Sequence, residues 1–534
     1  TNETEATVTT KYERKFNSEN AAVVDQEHLG GVIGQCEGSI VDCTNRGTVD
    51  QASDPRTVNA GGICGFVRNA AESLSGNANE GEVRIGGAVT LATVGGVYGS
   101  FGKAQTVADA ATTNRGGVTV SGIESIEGAY LRLGGIVGFA YPGTVLSNLT
   151  NAGDMTVDLQ SKFSYYAVGG IAGSVECGAS SCVNEGSLRL NNNQLLTKGM
   201  CKIFVGGIVG INYRPTDDGP HIYEDCANRA EIGFATTDNA FKVLPSFTGG
   251  ILGYTEHPVE VRNCEGAAYI NVNNANAKEN GIFTATGGIV GAVKGTAALI
   301  EKCHVTADVR HYQYNNTWDD PLSAANGGGI VGCALGADEV NRIAITGCSC
   351  SGMVESKRSG AAGIVGYARF SDISDCGFTG GIEGSGPHFA GGIAGTLANS
   401  TIAGCTVKAK NIYGHNASSP SLIGVSGIAA YVVGVSSVSD CKAYATLIRN
   451  STVLGTEDAS VTPDNLFGMG MIVGIDAGTT TVTNCGVGGS FYLGASEKPQ
   501  ELILTLDADS YAKGIIGSGK TATVGGCYYW NGEE

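Results

Sequence analysis

Basic residues are scarce in this chain: 33 Lys and Arg stand against 51 Asp and Glu, giving a net charge of −18. No Lys/Arg cluster offsets that balance, which argues against a nucleic-acid partner and against anionic membrane surfaces. Signatures of metal and nucleophile chemistry are missing as well. There is no Cys-x-x-Cys pair, no His-Glu-x-x-His and no Gly-x-Ser-x-Gly elbow. The 7 histidines are scattered singly, which favours surface or satisfied core roles for each. No long stretch carries apolar residues at helical spacing. The chain opens at Thr1 without an initiator Met or a signal peptide, which reads as a processed product whose export signal has been removed. The longest uncharged run, Asn416 to Ser439, is long enough to span a membrane. It is rich in Ser and Gly and in register with a repeat, so it reads as a buried strand.

What the chain has is glycine, 83 of 534 residues, about twice the usual share. They follow no Gly-X-Y period, so collagen is excluded. A hydrophobic fraction of 42% is enough to build a core, so wholesale disorder is excluded too. The glycines gather into one recurring word, as in Gly134-Gly135-Ile136-Val137-Gly138 and Gly169-Gly170-Ile171-Ala172-Gly173. Copies begin near positions 30, 61, 95, 134, 169, 206, 249, 287, 328, 362, 391, 426, 470 and 513. Fourteen copies at a mean interval of about 37 residues are an array signature.

Each copy carries three apolar beats. The first is the Gly word. The second is a short run ending in Cys, such as Ile40-Val41-Asp42-Cys43 or Val482-Thr483-Asn484-Cys485. The third follows an Asn-x-Gly turn, as in Asn184-Glu185-Gly186-Ser187-Leu188, where Asn and Gly are expected to supply left-handed backbone. Alternating Val, Ile and Thr suit strands. The expectation is an all-β fold: a parallel β-helix-like β-solenoid of about fourteen coils, three short strands per coil. A single coil cannot bury its apolar face, but stacked coils can. At about 4.8 Å per coil, fourteen would stack to about 65 Å. A propeller blade of similar length needs four strands, where this repeat shows three beats. Residues 1–24 lack the word and read as a lead-in strand or cap; 25–534 form the repeat domain.

Of 17 cysteines, eleven share one phase, the end of the second beat: Cys43, Cys182, Cys226, Cys264, Cys303, Cys348, Cys376, Cys405, Cys441, Cys485 and Cys527. One per coil would stack into an inward ladder of small apolar residues. Disulfides are the weaker reading, because a ladder gives each sulfur two equal neighbours. Secreted proteins usually oxidise exposed thiols, so full burial or an anaerobic setting is expected.

The repeat resembles the GLUG-motif family of bacterial surface proteins. The matching residues are the Gly words, for example Gly206 to Gly210 and Gly287 to Gly291, and the Cys-x-Asn-x-Gly turns, Cys43 to Gly47 and Cys182 to Gly186. The resemblance covers about residues 25 to 530. Proteins of this kind are exported by gut-dwelling anaerobes and some pathogens, and such repeats also flank the catalytic domain of certain immunoglobulin-A-cleaving metallopeptidases. The resemblance implies a secreted or cell-surface location, with outer-membrane attachment through the removed signal as one form, and an adhesin-like or scaffold role. It supplies no catalytic residues.

One word mimics a phosphate loop: Gly514-Ile515-Ile516-Gly517-Ser518-Gly519-Lys520-Thr521 fits G-x-x-x-x-G-K-[ST]. A true P-loop opens a helix at the Lys; here strand and turn residues follow, and the word is the fourteenth repeat in register. No nucleotide is expected. Acidic pairs such as Asp217-Asp218 and Asp319-Asp320 are what 51 acidic residues produce without selection for glycoside cleavage. Acidic loops could take Ca²⁺, but none shows an ordered ligand pattern, so no cofactor is expected.

Two insertions stand out. Residues 306–326 hold Tyr312, Tyr314, Trp318, Asp319 and Asp320; residues 212–225 hold Tyr213 and Tyr223 with Arg214, Asp217, Asp218 and His221. Flat aromatic faces beside acids and amides are what sugar recognition uses, and loops on a rigid scaffold carry binding. The leading expectation is a non-enzymatic exported protein that binds glycan or a host protein through these loops. The alternatives are a polysaccharide lyase or glycosidase, supported by fold analogy alone, and a passive stalk.

Overall fold

The structure, a computed structural model, describes residues 7–10, 26–51, 57–158, 163–192, 202–212, 219–236, 246–274, 284–313, 325–357, 360–383, 388–415, 423–450, 466, 468–494, 501–519 and 522–533. The chain forms two compact units, Thr1–Val259 with Cys264–Ala268, and Glu260–Asn263 with Tyr269–Glu534. Each is an all-β solenoid of parallel strands, and the described residues contain no α-helix.

One coil of the first unit shows how the repeat folds. Phe163–Gly169 is a strand, Gly170 and Ile171 turn a corner, and Ala172–Val175 is the next strand. Ala179–Ser180, Val183–Asn184 and Leu188–Asn192 complete the circuit. The three beats are thus cut into five strand segments, because the Gly word is itself a corner. The next coil repeats this in parallel register: Gly169 pairs with Gly206, Ala172 with Val209, Ala179 with Tyr223, Val183 with Ala227 and Leu188 with Ile232. Seven strands that complete a Gly word stand in the first unit, from Ile33–Cys36 to Leu252–Thr255. Seven more stand in the second, from Val290–Lys294 to Ile516–Ser518. That total equals the number of Gly words.

The corner explains the glycines. A Cβ on Gly169 would lie 1.9 Å from the Ala172 carbonyl oxygen, and one on Gly173 would lie 2.5 Å from the Leu133 nitrogen. The corner folds two strands back to back, and backbone occupies the space a side chain would need. The word's central apolar residue points inward: Ile136, Ile171, Ile208, Ile289 and Ile330 are all fully buried.

The left-handed residue sits elsewhere than the sequence suggests. None of Asn45, Asn151 and Asn184 has positive φ; the residue just before the phased cysteine does, at Asp42 (52°), Ser181 (51°), Asp225 (54°), Asn263 (53°), Asp375 (53°), Asp440 (55°) and Asn484 (55°). That residue makes the turn that swings the cysteine inward. The Asn is instead the interior rung of a ladder. Asn45, Asn79, Asn114, Asn151, Asn184 and Asn228 are all fully buried. From Asn45 to Asn184 each side-chain amide Nδ2 donates to the next Oδ1 at 2.8 to 2.9 Å, and all six donate to the carbonyl two residues on in their own coil.

The phased cysteines face inward as expected. All sixteen described cysteines are free thiols, and of the eleven in phase only Cys43 and Cys527 are not buried. At the start of the chain, Thr7–Thr10 pairs with Thr48–Gln51, so the lead-in contributes a strand of third-beat type. Near the end, Glu501–Thr505 pairs antiparallel with Ser490–Leu493, the one reversal in an otherwise parallel set of described pairings. Ile516–Ser518 of the phosphate-loop mimic is a strand paired with Val473–Asp476. Of the longest uncharged run, Gly424–Ser426, Ala429–Val433 and Val435–Ser439 are strands. Among the described residues no helix is long and apolar enough to cross a membrane.

Candidate functional site

Three third-beat strands of the second unit lie side by side: Ile270–Asn274, Val309–Gln313 and Val354–Lys357. Alternation turns Val309 and His311 inward and leaves Arg310 and Tyr312 half-exposed. Parallel register puts Asn271, Arg310 and Glu355 in one row across the strands. The Arg310 guanidinium grips the Glu355 carboxylate at 2.7 and 3.2 Å. Tyr312 donates its hydroxyl to the same carboxylate at 2.8 Å. The guanidinium carbon stands 5.4 Å from the Tyr269 ring centre and 5.1 Å from that of Tyr312, within cation–π range of both.

The electrostatics follow from this packing. Burial opposes the Glu355 charge, but the Arg310 and Tyr312 hydrogen bonds and the guanidinium charge outweigh it and hold the carboxyl below its usual range. Burial first, then the bond to Glu355, pushes the Tyr312 hydroxyl up to about 12. At neutral pH the patch presents an ionised Glu355 carboxylate, the Arg310 guanidinium, the neutral Tyr312 hydroxyl and the Tyr269 ring. It can stack against a flat apolar face and exchange hydrogen bonds with hydroxyls. A carboxylate held ionised is the wrong form for a general acid.

Below this surface His311 is fully buried, with Nδ1 2.7 Å from the Thr286 hydroxyl. Burial lowers its pKa to about 4, so it is a neutral core residue.

Of the residues singled out in the sequence, Tyr312 lies in this patch, though on a strand and not in a loop. Tyr314, Trp318, Asp319, Asp320 and Tyr213 lie outside the described residues. Tyr223 is a correction: it is fully buried, and its hydroxyl donates to the Cys177 carbonyl at 3.2 Å. It points inward because His221–Glu224 is a strand that places every second side chain in the core. Its neighbours His221 and Ile222 instead line a shallow groove of about 350 Å³ in the first unit, with Leu146, Glu176 and Ala179. His221 packs its ring 4.0 Å from that of His257. Among the described residues no three His, Cys, Asp or Glu side chains converge as a metal site would require.

Arg310, Tyr269 and Glu355 are additions. They come from three successive coils, so no local motif holds them. Their signal is phase: aligning Tyr269-Ile270-Asn271, Asp308-Val309-Arg310 and Met353-Val354-Glu355 brings them into one neighbourhood.

Comparisons with protein-family models, with curated proteins and with solved structures found no match.

Proposed function

We propose that this chain is an exported, adhesin-like protein of the bacterial surface that binds glycan or a host protein through a rigid repeat scaffold. The observation that carries the reading is the Tyr269, Arg310, Tyr312 and Glu355 patch, whose last loopward member stands two residues before Tyr314. A pyranose ring would stack on a tyrosine face while its hydroxyls meet Glu355 and Arg310. The scaffold holds these groups in fixed positions, so little side-chain freedom is lost on binding. A single contact of this kind is weak, and several along one chain add through avidity. The Gly words and Cys-x-Asn-x-Gly turns that resemble the GLUG-motif family support surface display. The ionised state of Glu355 argues against its serving as the general acid of glycoside cleavage.

The test is a screen of the purified chain against glycans, mucins and matrix proteins, with the supernatant analysed for cleavage products. Binding of intact ligand, weakened about tenfold or more by Tyr312→Ala with folding unchanged, is expected. Cleavage products would overturn the non-enzymatic reading. Binding unaffected by Tyr312→Ala and Arg310→Ala would remove this patch from the site.

A further inference from the structure

The last described rung of the cysteine ladder differs from the rungs before it. Inside the ladder a cysteine has one on either side; Cys441 is stacked between Cys405 and Cys485, with the Lys442 N–H donating to the Cys405 carbonyl at 2.9 Å and the Gly486 N–H to the Cys441 carbonyl at 2.8 Å. No pairing is favoured there, and Cys376, Cys405, Cys441 and Cys485 are at most 1% exposed, so no reagent reaches them. Cys527 is that last described rung. It is half-exposed, and Cys485 is the cysteine stacked beside it in the neighbouring coil.

The backbone sets the spacing of this last rung. Gly486 pairs with Tyr528 in parallel register, and the Tyr528 N–H donates to the Cys485 carbonyl at 3.0 Å. Cys485 and Cys527 therefore occupy equivalent places on neighbouring strands. Such places stand about 4.8 Å apart, inside the span of about 4.4 to 6.8 Å between Cα atoms that a disulfide bridges.

We propose that Cys485 and Cys527 form a disulfide-exchange site for small-molecule disulfides of the oxidised-glutathione class. The Cys527 thiolate attacks one sulfur of the small disulfide and expels one thiolate. A mixed disulfide on Cys527 results. Cys485, from inside the ladder, then attacks the Cys527 sulfur and expels the second small thiolate. One disulfide is consumed and one is formed; two protein thiols are oxidised and two small thiols are released with their protons. The neighbouring Cys485, together with burial, pushes the Cys527 thiol up, so the first step accelerates as pH rises.

The chain carries its own control. Cys43 is also half-exposed, but the place next to it is held by Asn77, whose Oδ1 accepts from the Cys43 N–H at 3.1 Å. With an amide where the second thiol would be, Cys43 can be capped but has no partner there to resolve the adduct.

The experiment incubates the reduced full chain with oxidised glutathione and maps disulfides by non-reducing peptide mass spectrometry. The expected product is a Cys485–Cys527 disulfide without lasting glutathione on Cys527, beside any glutathione on Cys43 remaining as an adduct. Cys485→Ser should leave glutathione trapped on Cys527, and Cys527→Ser should leave Cys485 reduced, with the far-ultraviolet circular dichroism of both variants unchanged. A Cys527 that stays reduced, a bridge that omits Cys485, or a Cys485→Ser variant that still sheds its adduct would overturn the proposal.

Discussion

The two units share one coil plan but fill its interior with different chemistry. In the first, the rung two residues past the cysteine phase is an asparagine in six coils, from Asn45 to Asn228, bonded amide to amide. In the second the same rung is Val305, Cys350, Phe378, Val407, Ala443 and Val487, all buried. The cysteine rung behaves in the opposite sense. It is interrupted in the first unit by Asn77, Thr112 and Leu149, and unbroken in the second from Cys303 to Cys527. An amide ladder is cooperative, because every rung satisfies the next; a ladder of thiols and methyls is a sum of local contacts. A missing rung in the first leaves an amide unpaired, whereas the second accepts several residue types.

The largest expected effect follows directly. Asn114→Asp keeps one acceptor but turns the other edge of the side chain against Asn151 Oδ1 and the Gly116 carbonyl, both of which Asn114 Nδ2 now serves. A buried carboxylate with one oxygen facing two acceptors should destabilise the first unit by at least about 4 kcal/mol in urea unfolding. The second unit has its own weak point in acid. His311 is neutral in the folded chain, with its pKa lowered from 6.5 to about 4. The unfolded chain therefore takes up the proton first, so stability is full above pH 6.5 and falls as pH drops from there to 4. The loss should approach about 3 kcal/mol, and His311→Asn should flatten the profile. Next comes Gly138→Ala in the first unit, whose Cβ would lie 2.5 Å from the Val94 nitrogen; about 2 kcal/mol of destabilisation is expected. The equivalent position in one coil of the second unit is already Ala430, so that corner accepts a methyl. Smallest is Cys348→Ala, which removes a sulfur whose hydrogen bonds to the Thr346 and Ile300 carbonyls are long, 3.5 and 3.6 Å. About 1 kcal/mol in thermal unfolding should suffice.

The array was legible because its signals are periodic. The Gly words mark corners, the cysteines mark an inward phase, and both survive loop lengths that vary from about 29 to 44 residues per repeat. The Asn-x-Gly turn was legible as a turn but misread as to cause. Gly186 is there because a Cβ would lie 2.0 Å from the Gly153 carbonyl oxygen, and Asn184 because its amide extends the ladder. Turn propensity and ladder membership select the same residue, so one coil alone cannot separate them. The run of Asp, Asn and Gly just before the cysteines was the overlooked sign of a left-handed corner. The patch around Arg310 was legible only in part. Tyr312 stood out as an aromatic in an insertion, while Tyr269 and Glu355 join it through register, which local sequence does not display.

The most direct test of the two-interior account uses the cysteines as reporters. Pulse labelling of the Asn114→Asp variant with a thiol reagent, read out by peptide mass spectrometry at increasing urea, follows both units in one sample. The account predicts that Cys182 and Cys226 become reactive at lower urea than in the parent chain, while Cys376 and Cys405 keep their parental protection. Uniform loss of protection across all four, or no change at Cys182 and Cys226, would contradict the claim that an amide ladder holds the first unit's interior.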